Sequence, residues 1–173
     1  QAKKDQTFDR IYIVTPSFNS NKSYFGKYIN EEDVYEHTRD SISNVIKSVE
    51  ADRDEFEEYL AKKKMYQEFK KDRNKSVNHI DEDDLLYYYE NDFFTEQPKW
   101  KYKKEEPPKS LLILDDCLGS PAILQSSGLT RVSTLNRHLA ALKETHSNRT
   151  ACGLAVIILT QSYRMNNGIS RVL

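Results

Sequence analysis

The residues Leu111-Leu112-Ile113-Leu114-Asp115-Asp116 run four apolar side chains straight into two adjacent carboxylates. An apolar run of this length reads as a strand buried on both faces. Acids delivered at the carboxyl end of such a strand suit one kind of chemistry. The first, Asp115, would hold Mg²⁺ directly or through water, and the second, Asp116, would polarise an attacking water. A bound cation would keep both ionised, because it offsets their mutual repulsion. The same pattern also describes a generic strand that stops in an aspartate turn.

Gln161 strengthens the first reading. It follows the apolar run Val156-Ile157-Ile158-Leu159-Thr160 directly. If that strand neighbours Leu111–Leu114, the Gln161 amide lies beside the carboxylates, where it can hydrogen-bond a phosphate oxygen and the lytic water. The plainer alternative is that Gln161 caps its strand. Arg131, Arg137, Arg149, Arg164 and Arg171 all lie in the second half of the chain. A cation that reaches a γ-phosphate across a subunit boundary is a common requirement of ring-forming ATPases. Arg137, beside His138, is one candidate for it, and Arg164 and Arg171 are others. Each also reads as an ordinary surface or structural arginine. Thr15-Pro16-Ser17 closes a first apolar run, Ile11-Tyr12-Ile13-Val14, and so makes Thr15 a candidate nucleotide contact at the same sheet edge.

The elements that must position these groups follow from periodicity. Ile11–Val14, Leu111–Leu114 and Leu154–Thr160 read as buried parallel strands, and Phe18–Tyr28 as a loop. Residues Glu31 to Arg73 read as helical, with Ile42, Val45, Val49, Phe56, Tyr59, Tyr66 and Phe69 near one stripe. Asp52 or Asp54 could start a second helix there, so one long helix and a helical hairpin are both open. Lys62, Lys63, Lys64, Lys70 and Lys71 read as a solvated face, with a DNA-facing patch as the alternative. Asn74–Glu82 reads as a turn, Leu85–Asn91 as a helix with acids at its start, and Thr95–Lys109 as a surface linker rich in proline. Cys117–Gly128 reads as a loop with room for one short helical turn, Val132–Leu142 as a helix with Val132, Leu135, Leu139 and Leu142 on one face, and Glu144–Gly153 as a polar connection. Strand, helix and strand in this order predict an α/β fold with a parallel sheet.

Composition bounds the function. The chain has 173 residues, 38% of them apolar and 31% charged, enough for one core with much surface. A formal net charge of -1 provides no global field toward nucleic acid, so such contact must be local. Cys117 and Cys152 lack the spacing of a zinc or redox pair, and a reducing intracellular compartment is the default. The longest apolar run, Leu154–Leu159, is too short to span a bilayer. The chain starts at Gln1 and ends in an emerging apolar pattern, Ile169–Leu173, and reads as an interior portion of a larger protein.

Together these pieces resemble the DNA-packaging ATPases of large double-stranded DNA viruses, in the FtsK–HerA branch of P-loop ATPases. IYIVTPS at Ile11–Ser17 is similar to the strand after the phosphate-loop helix. LLILDD resembles the Walker B strand, LNRHL at Leu135–Leu139 the family's Arg-His motif, and AVIILTQSYR at Ala155–Arg164 the sensor strand ending in glutamine. The resemblance implies a parallel-sheet P-loop NTPase-like core over residues 1–173, with a helical insertion and linker at 31–109. It implies an ATP- and Mg²⁺-dependent motor that pumps double-stranded DNA into a capsid, as a homo-oligomeric ring at a capsid vertex, without membrane contact. The site of action would be the virion or a viral assembly site in the host-cell cytoplasm. Asp115 would hold the metal, Asp116 act as catalytic acid, Gln161 as sensor, and Arg137 as finger or coupling residue. The GxxxxGK[ST] loop is missing from these residues, and in the family it lies just upstream of the matching position. Asn21-Lys22-Ser23 has no glycine cradle and follows the wrong strand. Another P-loop translocase or helicase-like motor, or a degenerate ATPase fold with a structural role at the capsid, are the alternatives.

Overall fold

The computed structural model describes residues 7–17, 25–73, 80–117, 119–146 and 149–160. In chain order the elements are β1 (Arg10–Val14), β2 (Val34–Tyr35), α1 (Ser41–Asp72), α2 (Glu82–Glu90), β3 (Ser110–Asp115), α3 (Pro121–Leu124), α4 (Ser127–Leu135), β4 (Ala141–His146), β5 (Arg149–Ala151) and β6 (Leu154–Leu159). Single 3₁₀ turns lie at Glu31–Asp33 and Asn136–His138. The protein is a mixed α/β fold. Four strands make one parallel sheet in the order β2-β1-β3-β6, and β4 and β5 form a separate antiparallel pair. The three apolar runs expected as parallel strands are the central and edge strands of that sheet, each within a residue of its expected bounds.

Strand alternation divides the sheet into two faces. Tyr12, Val14, Leu112 and Leu114 face a core that also holds Ile42, Val45, Ile46 and Val49 of α1 and Val132 of α4. On the other face Ile13 and Leu111 are buried, whereas Ile157 and Leu159 of the edge strand are exposed.

α1 is one continuous helix of 32 residues, about 48 Å long at 1.5 Å per residue. Neither Asp52 nor Asp54 interrupts it. Its apolar stripe has the expected spacing but serves three separate contacts. The first turns belong to the sheet core. Phe56 and Tyr59 then pack around Trp100, with ring centroids 5.0 and 5.4 Å away. Phe69 finally joins Tyr88 and Phe93 in a second apolar cluster. Asp81 caps α2 by accepting from the Asp83 amide at 2.9 Å, as the acidic start of that helix led one to expect.

Several expectations need correction. The helical stretch does not begin at Glu31: residues 34–35 form a sheet strand and the helix starts at Ser41. Within the segment 31–109, residues 34–35 thus belong to the sheet, and Ile42, Val45, Ile46 and Val49 to its core. The Thr95–Lys109 stretch has no helix or strand, but it is a docked strap rather than a free surface linker. Trp100 sits on α1, Lys101 pairs with Asp52 at 2.7 Å, Glu105 bonds Tyr59 and Lys63, and Pro107 and Pro108 are buried. The expected Val132–Leu142 helix runs instead from Ser127 to Leu135, and Leu142 lies in β4. The backbone explains this. The carbonyls of Leu139 and Ala140 accept from Gly153 and Cys152 at 3.0 and 3.1 Å, and Ala140 adopts φ 53°, so the chain leaves the helix to pair with its own return. Leu135, expected on the apolar face, is exposed. The polar connection 144–153 contains the β4–β5 pair.

Candidate functional site

The site is built at the carboxyl end of the sheet. From β1 the chain continues to β2 on one side, and from β3 to β6 on the other. The strand order thus reverses between β1 and β3, and the carboxyl ends of strands at such a switch point are where open α/β sheets place their ligands. Thr15 follows β1 and Asp115 ends β3. The β1–β3 register pairs Val14 with Leu114, so positions 15 and 115 come next, side by side on one face. The Thr15 hydroxyl donates to Asp115 Oδ2 at 2.9 Å. Thr15 is almost fully buried, and its Oγ1 also accepts from the Ser17 amide at 3.2 Å. Two of the candidate residues are therefore in direct contact, across the one point in the sheet where the connections part.

Asp116 begins the turn. Its amide still donates to Leu159 of β6 at 3.0 Å, which extends the ladder one residue past β3. Its φ is 51°, a left-handed conformation that aspartate tolerates better than most residues. Its carboxylate is exposed, free to face a ligand above the strand ends. Cys117 turns back inward and is fully buried. Its thiol contacts the carbonyls of Val14 and Asp115, each at 3.1 Å, and so ties the turn to both central strands. Burial, and then the charge of Asp115, push the thiol up to about 11. It is a protonated packing group, not a nucleophile.

Gln161, Arg164 and Arg171 lie outside the described residues. The strand that precedes Gln161 in sequence is where it was expected: β6 is parallel to β3 and directly beside it, with Asp115 opposite Leu159. Arg137 is exposed on the 3₁₀ turn. It lines a cleft with Ser110 and Leu154, the first residues of β3 and β6. That is the opposite end of the sheet from Asp115, about 17 Å away over five strand steps. Arg137 therefore does not meet the carboxylates within one chain. Arg131 is an ordinary structural arginine, paired with Glu50 of α1 at 2.7 Å.

Sequence reading missed one buried charged cluster. Asp52 is almost fully buried. It accepts from Arg10 Nη1 at 3.4 Å, Tyr12 Oη at 3.4 Å and Lys101 Nζ at 2.7 Å. Asp33, equally buried, accepts from Arg10 Nε at 2.9 Å. Burial disfavours the charge on Arg10 and Lys101, yet hydrogen bonds to these carboxylates outweigh it, and both cations hold their protons more tightly than usual. Burial and then the Asp52 charge raise Tyr12. Every charge in the group is matched, so the cluster braces β1, α1 and the strap. A signal was present: Asp52 falls between Val49 and Phe56 on the apolar stripe of α1, and a carboxylate there must find cations when it is buried.

The class this fold defines is a mixed α/β protein with a four-stranded parallel sheet, whose strand order reverses between β1 and β3. Comparison with protein-family models, with curated proteins and with solved structures finds no match. Among the described residues no three or more His, Cys, Asp or Glu side chains converge as a metal cluster, and no helix is long and apolar enough to cross a membrane. The oxygen groups at this strand end are the Asp115 and Asp116 carboxylates and the Thr15 hydroxyl. They are hard oxygen ligands of the kind Mg²⁺ uses, an ion that commonly takes one or two carboxylates and fills its remaining positions with water and substrate phosphate.

Proposed function

We propose that this chain is the sheet-bearing part of a Mg²⁺-dependent ATPase motor of the viral DNA-packaging type, working as a homo-oligomeric ring that moves double-stranded DNA into a capsid. The observation that carries the ATPase reading is the Thr15–Asp115 hydrogen bond at 2.9 Å across the switch point of a parallel sheet. The packaging role rests on the sequence resemblance.

Asp115 would hold the cation, which when bound supplies charge to offset that developing on the transferred phosphate. Thr15 fixes one oxygen of that carboxylate and leaves the other for the ion. Asp116, held on the rim by its left-handed backbone and its bond to β6, would orient and polarise the water. Gln161, which follows β6 in sequence, would serve as the sensor. Arg137, on the far end of the strands, would reach a γ-phosphate only in a neighbouring subunit.

Asp116→Asn is the decisive variant, because asparagine suits the left-handed backbone at this position as well as aspartate does. In the natural protein with all its flanking chain, turnover should fall by roughly a hundredfold or more, with ATP binding retained. Retained turnover would refute the role of Asp116. A second reading, an ATPase-like fold kept as an interaction module, is favoured by the lack of a glycine-rich phosphate cradle in the sequence. Failure of the natural protein to bind Mg²⁺-ATP at all would select it.

A further inference from the structure

A cleft of about 480 Å³ opens at the amino end of β3 and β6, the end of the sheet remote from Asp115. Its volume is within the range of small-ligand sites. Phe8, Lys109, Ser110, Asn136, Arg137 and Gly153 line it, and no carboxylate among the described residues does. Two cationic residues, Lys109 and Arg137, thus line the cleft on a chain whose formal net charge is -1, and the nearby Asp9 carboxylate is engaged by the Lys109 amide at 2.8 Å. Ser110 supplies an independent observation. It is almost fully buried, and its Oγ has no hydrogen-bond partner among the described residues. A buried hydroxyl left unpaired is costly and uncommon. Asn136 has its Oδ1 engaged by the Arg137 amide at 2.9 Å, which leaves its NH₂ group as a donor. Gly153 sits at φ 72° beside the carbonyls of Asn136 and Arg137. That conformation suits glycine and turns the chain sharply into β6 along the cleft wall.

From these we infer that the cleft is a binding site for a small phosphate ester, whose phosphate is taken by Arg137, Lys109 and the Ser110 hydroxyl while Phe8 covers its apolar part. The donor set fits. Guanidinium and ammonium groups supply charge, the guanidinium in a forked geometry that matches phosphate. The hydroxyl and amide supply the short neutral hydrogen bonds that fix its orientation. The site gives Arg137 a function within its own chain, and it is independent of any cation at Asp115.

The test is titration of the whole chain with inorganic phosphate and with AMP, followed by amide shifts in two-dimensional NMR and by calorimetry. Shifts should cluster at Ser110, Asn136, Arg137 and Gly153. AMP should bind more tightly than phosphate alone. Arg137→Ala should weaken binding roughly tenfold, and Ser110→Ala about threefold. Arg137→Ala should leave the thermal midpoint nearly unchanged, since Arg137 is exposed, and Ser110→Ala should keep or raise it, since it removes a buried hydroxyl that has no partner among the described residues. Shifts confined to the Asp115–Asp116 turn, equal affinity in wild type and Arg137→Ala, or no shifts at all would overturn the proposal. The shifts on the unaltered protein decide the matter even where a variant fails to fold.

Discussion

At the scale of single residues, the candidate site depends on one hydroxyl. Thr15 Oγ1 donates to Asp115 and accepts from the Ser17 amide, in a nearly closed environment. Thr15→Val keeps the shape and removes both bonds. We expect a loss of about 1–2 kcal/mol in unfolding free energy and, if Asp115 binds Mg²⁺, an affinity lower by about tenfold, the usual effect of losing a group that orients a ligand. Thr15→Ser should recover most of both. Denaturant unfolding and a Mg²⁺ titration read the two effects separately. Loss of stability with unchanged Mg²⁺ affinity would make Thr15 a packing residue only. The place of the carboxylates at a strand end was legible in the sequence, because an apolar run ending in acids marks a buried strand and where it stops. Their contact with Thr15 was not, because it depends on strand register, which couples residues 100 positions apart and leaves no local pattern.

At the scale of elements, the tightest constraint is where α4 crosses the start of α1. Gly128, one residue into α4, is buried there. A β-carbon on it would lie 2.9 Å from Ile42 Cβ and 2.9 Å from the Ser43 amide nitrogen. One of those atoms belongs to backbone and cannot swing away. The gain in helix propensity from alanine, about 1 kcal/mol, is therefore outweighed, and Gly128→Ala should destabilise by a net amount of about 1–3 kcal/mol. A thermal midpoint equal to or above wild type would show that the two helices can separate without cost. Helices set by their own periodicity were legible, as α1 was from its stripe. The end of α4 was not. Val132, Leu135, Leu139 and Leu142 have helical spacing, yet the carbonyls of Leu139 and Ala140 are taken by Cys152 and Gly153. A pairing with residues 12 or more positions away overrode the local pattern. The docking of the strap at 95–109 was not legible for a similar reason, since proline and mixed charge signal a surface linker while its anchors, Trp100 and Lys101, are recognised only by α1.

At the scale of the whole molecule, the buried acids that carry no charge govern its response to alkali. Cys117 is pushed up to about 11, and Tyr59 and Tyr102 each to about 12, in all three cases by burial first. Tyr12 and Tyr88 are raised as well. In the unfolded chain these groups lose their protons near the ordinary values of 9.0 for cysteine and 10.0 for tyrosine. Above those values the unfolded state holds fewer protons than the folded one, so rising pH must favour unfolding. Each group that ionises only in the unfolded state contributes a slope of about 1.4 kcal/mol per pH unit. Stability should therefore be level from neutral pH to about pH 8, fall past pH 9 as cysteine ionises in the unfolded chain, and fall more steeply past pH 10 as the tyrosines join it. Cys117→Ala separates the contributions. It should be less stable at neutral pH because of the cavity it leaves, but its curve should stay level until the tyrosines begin to ionise. Urea midpoints measured at half-unit steps of pH read this directly. A wild-type curve that stays level beyond pH 10 would mean that the thiol and these phenols ionise as readily in the folded protein as in water, and that the turn after Asp116 and the strap against α1 are open to solvent.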